Sequence, residues 1–262
     1  MLLWLSHRED PASRDEPRKV MNENYQYADI AKMIDHSLLN PSLTVPELED
    51  GCLLARAYDV ASVCILPYYA WRCRELLAGS TVHVSTTIGF PHGGHVTSIK
   101  LAEARRALAD GATELDMVIN ISQARSGDWN YVEQEIRVLC GVTHDAGARL
   151  KVIFENAYHD DAAKIRLCEI CGAIGVDWVK TSTGYAPTGA TLDDLRLMRK
   201  HSPPAVQVKA AGGIRDLDAL LAVRALGVTR VGATRTASML DAGRQRLGLP
   251  LIAYQSAVPV GY

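Results

Sequence analysis

No stretch of this 262-residue chain is apolar for long enough to cross a bilayer. The apolar run at residues 1–5 is cut off by His7-Arg8-Glu9-Asp10, too early for the core of a secretory signal. A cytoplasmic protein is therefore expected. An excess of one charge is missing too: the formal net charge is -2 and no long run of like charge occurs, so nucleic acid and anionic membrane are not expected partners. No disulfide framework is written into the six dispersed cysteines, which sit in apolar or helix-like segments and read as reduced thiols. Cys168 and Cys171 are the only close pair, and without a second ligand pair they read as helix packing. No Gly-x-Gly-x-x-Gly follows the first apolar run, which argues against an open dinucleotide-binding sheet.

What is present is alternation. With 48% hydrophobic and 22% charged residues, the composition is that of an ordinary globular protein. Short apolar runs predict strands at 33–38, 61–66, 82–88, 114–120, 150–155, 178–181, 205–209 and 229–232. Between them, three-to-four periodicity predicts helices at 45–58, 69–77, 98–110, 129–146, 161–172, 192–200, 217–226 and 237–247. Gly111, Gly147, Gly175 and Gly227 fall where a helix must reverse into the next strand. Eight such units fit a closed α/β barrel of the (β/α)8 TIM type as a single domain over residues 24–262. Residues 1–23, polar and broken by Pro11 and Pro17, are expected to be a loose extension, with Met21 a second candidate start.

In a barrel, catalytic groups belong at the C-terminal ends of strands. Asp35, Asp116, Glu155, Lys180 and Lys209 are the polar interruptions there. Lys180 and Lys209 lie about one βα unit apart, on adjacent strands, and each is followed by small residues and glycine that clear room for a ligand. An ordinary lysine, with a pKa of roughly 10.4, is protonated at neutral pH. A neighbouring cation and desolvation both disfavour that charge, freeing an amine to attack a carbonyl. Lys180 is thus the candidate Schiff-base nucleophile, Lys209 the cation that tunes it, and Asp116 a carboxylate that moves protons. The bland alternative is a buried Asp-Lys network that only closes the barrel. Gly184, Gly212-Gly213 and Gly232 fall where strands give way to loops whose N–H groups suit an anion, with Arg215 and Arg235 beside two of them.

The segments Ile34-Asp35-His36-Ser37-Leu38-Leu39, Gly89-Phe90-Pro91-His92-Gly93, Glu114-Leu115-Asp116-Met117-Val118-Ile119-Asn120, Lys151-Val152-Ile153-Phe154-Glu155, Val179-Lys180-Thr181-Ser182-Thr183-Gly184 and Val208-Lys209-Ala210-Ala211-Gly212-Gly213 together resemble the deoxyribose-phosphate aldolase family. The resemblance spans about Ile34 to Leu240. It implies a class I aldolase that reversibly cleaves 2-deoxy-D-ribose 5-phosphate to glyceraldehyde 3-phosphate and acetaldehyde, without metal or organic cofactor. It also implies that Asp35 and Ser37 lie near the substrate, and that Cys64 matches a family cysteine close to the site. This chain departs from some members at Tyr185, where they carry a lysine, and at Thr234-Arg235, where many carry paired serines. Arg235 is expected to replace part of the missing positive charge. The loop from Asn156 to His159 has no assigned role, and a terminal tyrosine such as Tyr262 reaches the site in some members.

Three other readings stay open. One is a lysine-dependent aldolase acting on a non-phosphorylated or different 2-deoxy sugar. Another is a metal-dependent enzyme built on His92-Gly93-Gly94-His95, and the third is a non-catalytic sugar-phosphate-binding barrel. The partners expected are small sugar-phosphate and aldehyde molecules, together with a second copy in a homodimer.

Overall fold

Strands buried on both faces need helices on one side and a filled interior on the other, and the structure supplies both. The computed structural model describes residues 25–256 and 258. Its strands are β1 (Ile34–Leu38), β2 (Ser62–Ile65), β3 (His83–Ile88), β4 (Glu114–Val118), β5 (Arg149–Ile153), β6 (Trp178–Lys180), β7 (Gln207–Ala211) and β8 (Arg230–Ala233). All pair in parallel in chain order, and β8 returns to β1 to close the barrel. The helices are α1 (Tyr27–Ala31), α2 (Val45–Ala57), α3 (Ala70–Leu76), α4 (Thr97–Ala109), α5 (Ile121–Arg125), α6 (Trp129–Asp145), α7 (Asp161–Ile174), α8 (Leu192–His201), α9 (Leu217–Ala225) and α10 (Thr236–Arg246).

Every expected strand and helix is present, with ends displaced by at most two residues. The displacements have local causes. Val206 donates to Pro203 O in a turn, so β7 begins at Gln207. Gly111, Gly147, Gly175 and Gly227 all take positive φ, as chain reversal after a helix requires. Unforeseen were α1 and α5, each too short to show helical periodicity. Single 3-10 turns at Pro67–Tyr69 and Asn156–Tyr158 were also unforeseen. The expected loose extension at 1–23, the second start at Met21 and the terminal Tyr262 lie outside the described residues. Among the described residues no helix is long and apolar enough to cross a membrane.

The shell between sheet and helices is apolar: Val63, Ile65, Leu115, Met117, Leu150, Val152, Val179 and Val208 are almost wholly buried. One ion pair interrupts it. Lys100 on α4 and Glu135 on α6 are both fully buried and meet at 2.9 Å. Lys100 Nζ also donates to Val118 O at 2.7 Å, while Glu135 Oε2 accepts from Asn120 N at 2.9 Å. Together they terminate β4, the strand that carries Asp116. Removing one partner leaves a buried charge unpaired. Lys100→Met is therefore expected to destabilise the protein by about 3–5 kcal/mol, with much of the loss recovered in Lys100→Met/Glu135→Leu, as read by urea unfolding.

Candidate active site

The barrel interior carries charge where an α/β barrel ordinarily carries branched apolar side chains. Strand register explains how. Side chains alternate in direction along a strand, so the inward row of β4 holds Glu114 and Asp116, and that of β5 holds Arg149 and Lys151. Lys180 sits directly beside Lys209 in the β6–β7 pairing. Asp116 joins them: its Oδ2 accepts from Lys180 Nζ at 2.8 Å and from Lys209 Nζ at 2.7 Å. Two amines bound to one oxygen are close enough for each to feel the other's charge.

The cluster extends downward. Lys151 Nζ lies 2.8 Å from Asp116 Oδ1 and 2.7 Å from Glu114 Oε2. Arg230 spans Asp35 Oδ1 at 2.6 Å and Glu114 Oε1 at 2.9 Å, and Lys209 reaches Asp35 Oδ2 at 2.5 Å. Beneath them, Trp178 presents its ring to Arg230, Arg149 and Lys151 at 4.9, 5.4 and 5.8 Å from its centroid. Four basic side chains (Lys151, Lys180, Lys209, Arg230) thus share three carboxylates (Asp35, Glu114, Asp116), all of them buried.

The electrostatics decide which base gives way. Burial lowers the Lys180 pKa and the charge of Lys209 lowers it further, against the opposing pull of Asp116; the net direction is down. Lys209 is also penalised by burial, but Asp116 and Asp35 outweigh that and hold it above the ordinary lysine value. Lys151 ends raised in the same way, its burial offset by Asp116, Glu114 and Asp35. Asp116 itself is pushed up by burial, yet three lysines hold it well below the usual carboxylate range. It therefore stays ionised as a shared acceptor. The arrangement can present one uncharged amine, on Lys180, beside a protonated one.

The other expected site residues fall into two groups. Asp35 belongs to the cluster, and half-buried Ser37 lies near it: a Cβ built on Gly232 would stand 3.6 Å from Ser37 Oγ and 3.8 Å from Lys209 Cε. Gly232 corrects the sequence reading, because it lies within β8 and has no positive φ; its use is close approach rather than a turn. Gly184, Gly212 and Gly213 are turns, with φ of 93°, 79° and 94°. A Cβ at Gly212 would meet Gly189 Cα at 2.9 Å, so the loops after β6 and β7 touch backbone to backbone. Arg215, Thr234 and Arg235 are exposed, and neither arginine has a side-chain partner among the described residues. Arg235 caps the start of α10.

Cys64 faces the cluster, but burial above all, then Asp116, pushes its thiol up and leaves it inert. Among the described residues no three His, Cys, Asp or Glu side chains are placed to hold a metal ion. Sequence reasoning passed over Lys151, Glu114 and Arg230. For Glu114 and Lys151 a signal was available, since each lies two positions from another charged residue, Asp116 and Arg149, in a strand buried on both faces; Arg230 has no such neighbour.

Comparison with known proteins agrees with this geometry. A family model described as DeoC/LacD family aldolase matches residues 29–238. A deoxyribose-phosphate aldolase from Rhodopirellula baltica is 62% identical over 239 residues, covering 91% of this chain and 99% of its own. One from Thermococcus gammatolerans is 43% identical, covering 82% and 97%. The crystal structure of the tetrameric deoxyribose phosphate aldolase from Aeropyrum pernix superposes with a TM-score of 0.78 at 28% identity, covering 84% of this chain and 93% of that one. A match that runs from α1 into α10, and a relative so alike along nearly all its length, place the chain in the DeoC/LacD family of aldolases.

Proposed function

We propose that this chain is a class I deoxyribose-phosphate aldolase, cleaving 2-deoxy-D-ribose 5-phosphate reversibly to glyceraldehyde 3-phosphate and acetaldehyde with no metal or organic cofactor. One observation carries the assignment of roles: Lys180 has a single carboxylate partner, one oxygen of Asp116 that it shares with Lys209, whereas Lys151, Lys209 and Arg230 each reach two or more carboxylates. The neutral Lys180 amine attacks C1 of the open-chain sugar. The resulting carbinolamine loses water to give an iminium. The proton of the C3 hydroxyl then leaves, the C2–C3 bond breaks, and its electron pair moves into an enamine on Lys180. C3 departs as the aldehyde of glyceraldehyde 3-phosphate. Protonation of the enamine at C2 and addition of water release acetaldehyde and restore the amine.

Lys209 remains charged and keeps Lys180 neutral. Ionised Asp116, touching both nitrogens, is the relay through which a proton passes between them and the substrate. The phosphate is held at the loops after β6, β7 and β8, by N–H groups near Gly184, Gly212 and Gly213 and by Arg215, Thr234 and Arg235, while Asp35, Ser37 and Gly232 line the sugar. The domain reading is a single barrel over 24–262 preceded by a separate extension, and the setting is cytoplasmic. Copies pair as a homodimer across the exposed rings of Tyr68, in the 3-10 turn after β2, and Trp71, on α3, which stand 60% and 47% accessible.

Borohydride with substrate should trap a covalent adduct on Lys180, at a rate that rises with pH as the amine loses its proton. Lys209→Met, lacking the neighbouring cation, should move that rise to higher pH, and Lys180→Arg should give no adduct and at least about a thousandfold lower turnover. Arg235→Ala should raise KM for the phosphorylated sugar about three- to tenfold and leave free deoxyribose unaffected; an unchanged KM would remove Arg235 from the phosphate site. Sedimentation should show a dimer that Trp71→Glu dissociates, whereas an unaltered assembly would place the interface elsewhere.

A further inference from the structure

Glu155 ends the inward row of β5 in a conformation that few non-glycine residues adopt. Its φ and ψ are 59° and 65°, in the left-handed region, a strained conformation for a residue with a side chain. Extended backbone would send residue 155 the same way as Lys151 and Ile153, into the barrel. The left-handed turn sets it aside instead.

Where it goes is specific. Glu155 is 2% exposed, and its carboxylate accepts from Thr183 N at 3.2 Å and, closer still, from Thr183 Oγ1. Backbone bonds on either side bind the same two segments: Phe154 N to Lys180 O at 3.0 Å and Asn156 N to Thr181 O at 2.9 Å. Thr183 Oγ1 in turn accepts from Tyr185 N at 3.0 Å. The Tyr185 hydroxyl donates to Leu39 O at 2.8 Å, after β1, and its ring meets Phe90 edge-on at 5.5 Å, after β3. One chain of contacts therefore runs from the end of β5, over the segment that leaves Lys180, to the far side of the barrel mouth. The Thr183 hydroxyl is its joint.

We infer that Glu155, through Thr183, is a positioning residue for the reaction: it fixes the segment Thr181–Tyr185 and so the placement of the Lys180 amine. In this role Glu155 acts through Thr183 rather than at the reacting atoms. The inference rests on Lys180 being the Schiff-base lysine, and the experiment separates the two. Steady-state kinetics and the rate of borohydride trapping on Lys180 are measured for the wild type, Thr183→Val, Thr183→Ser and Glu155→Leu, with thermal melts to score folding. Thr183→Val, near in shape but without the hydroxyl, should lower kcat and the trapping rate about 10- to 100-fold with KM within about twofold, the effect of a misplaced reacting group. Thr183→Ser, which keeps the joint, should stay within about threefold of wild type, and Glu155→Leu should follow Thr183→Val. Should Thr183→Val fold and trap as fast as wild type, the positioning role is wrong. Should Thr183→Val fail to fold, Glu155→Leu decides by the same two readouts. A wild type that gives no adduct on Lys180 overturns the assignment of the nucleophile instead.

Discussion

A barrel interior that encloses four bases and three carboxylates cannot keep every group ionised without leaving one positive charge unbalanced in a medium that screens it poorly. The reactivity of this protein depends on where that imbalance is relieved. Arg230 holds its proton under any ordinary condition, and it is braced by Asp35 and Glu114. Lys151 touches Asp116 and Glu114 and lies near Asp35. Lys209 has Asp35 and Asp116. Lys180 has only one oxygen of Asp116, and it shares that oxygen. Lys180 is therefore the base whose charge the network supports least, and its pKa falls while those of Lys209 and Lys151 rise.

That conclusion joins two readings that look opposed in the sequence. A buried Asp-Lys network closing the barrel was the structural alternative to a catalytic site, and the network exists. It is also what makes the nucleophile. The buried network costs stability, since buried charges repay their desolvation only with close geometry and complete pairing. The apolar shell between strands and helices carries that cost, which is why the unusual residues are confined to the inward rows.

Much of this was legible in the residues. Eight apolar runs with helical spacing between them give the barrel because periods of 2 and 3.6 are imposed by backbone geometry alone. Lys180, Lys209 and Asp116 stood out because they interrupt strand ends and, for the lysines, precede small residues and glycine. Lys151, Glu114 and Arg230 did not, because each sits within a strand among apolar neighbours, and only the closed register shows that they face one another. Gly232 looked like a turn because it precedes a loop in sequence, whereas its role is to let Ser37 and Lys209 come near the backbone of β8. The left-handed turn at Glu155 has no sequence signature, since it is imposed by contacts from another strand.

Direction is the remaining property the network confers. At its base the Trp178 ring lies against Arg230 and Lys151, and its indole N–H is tied to Thr229, so the lower cations are capped by an aromatic face. Lys180 stands at the other end, on the last residue of β6, next to the loops that carry Gly184 and Gly212. Its side chain, at 3% exposure, is nearly buried but not sealed. Proton exchange and carbonyl access therefore coincide at one nitrogen, the one whose proton the network holds least tightly.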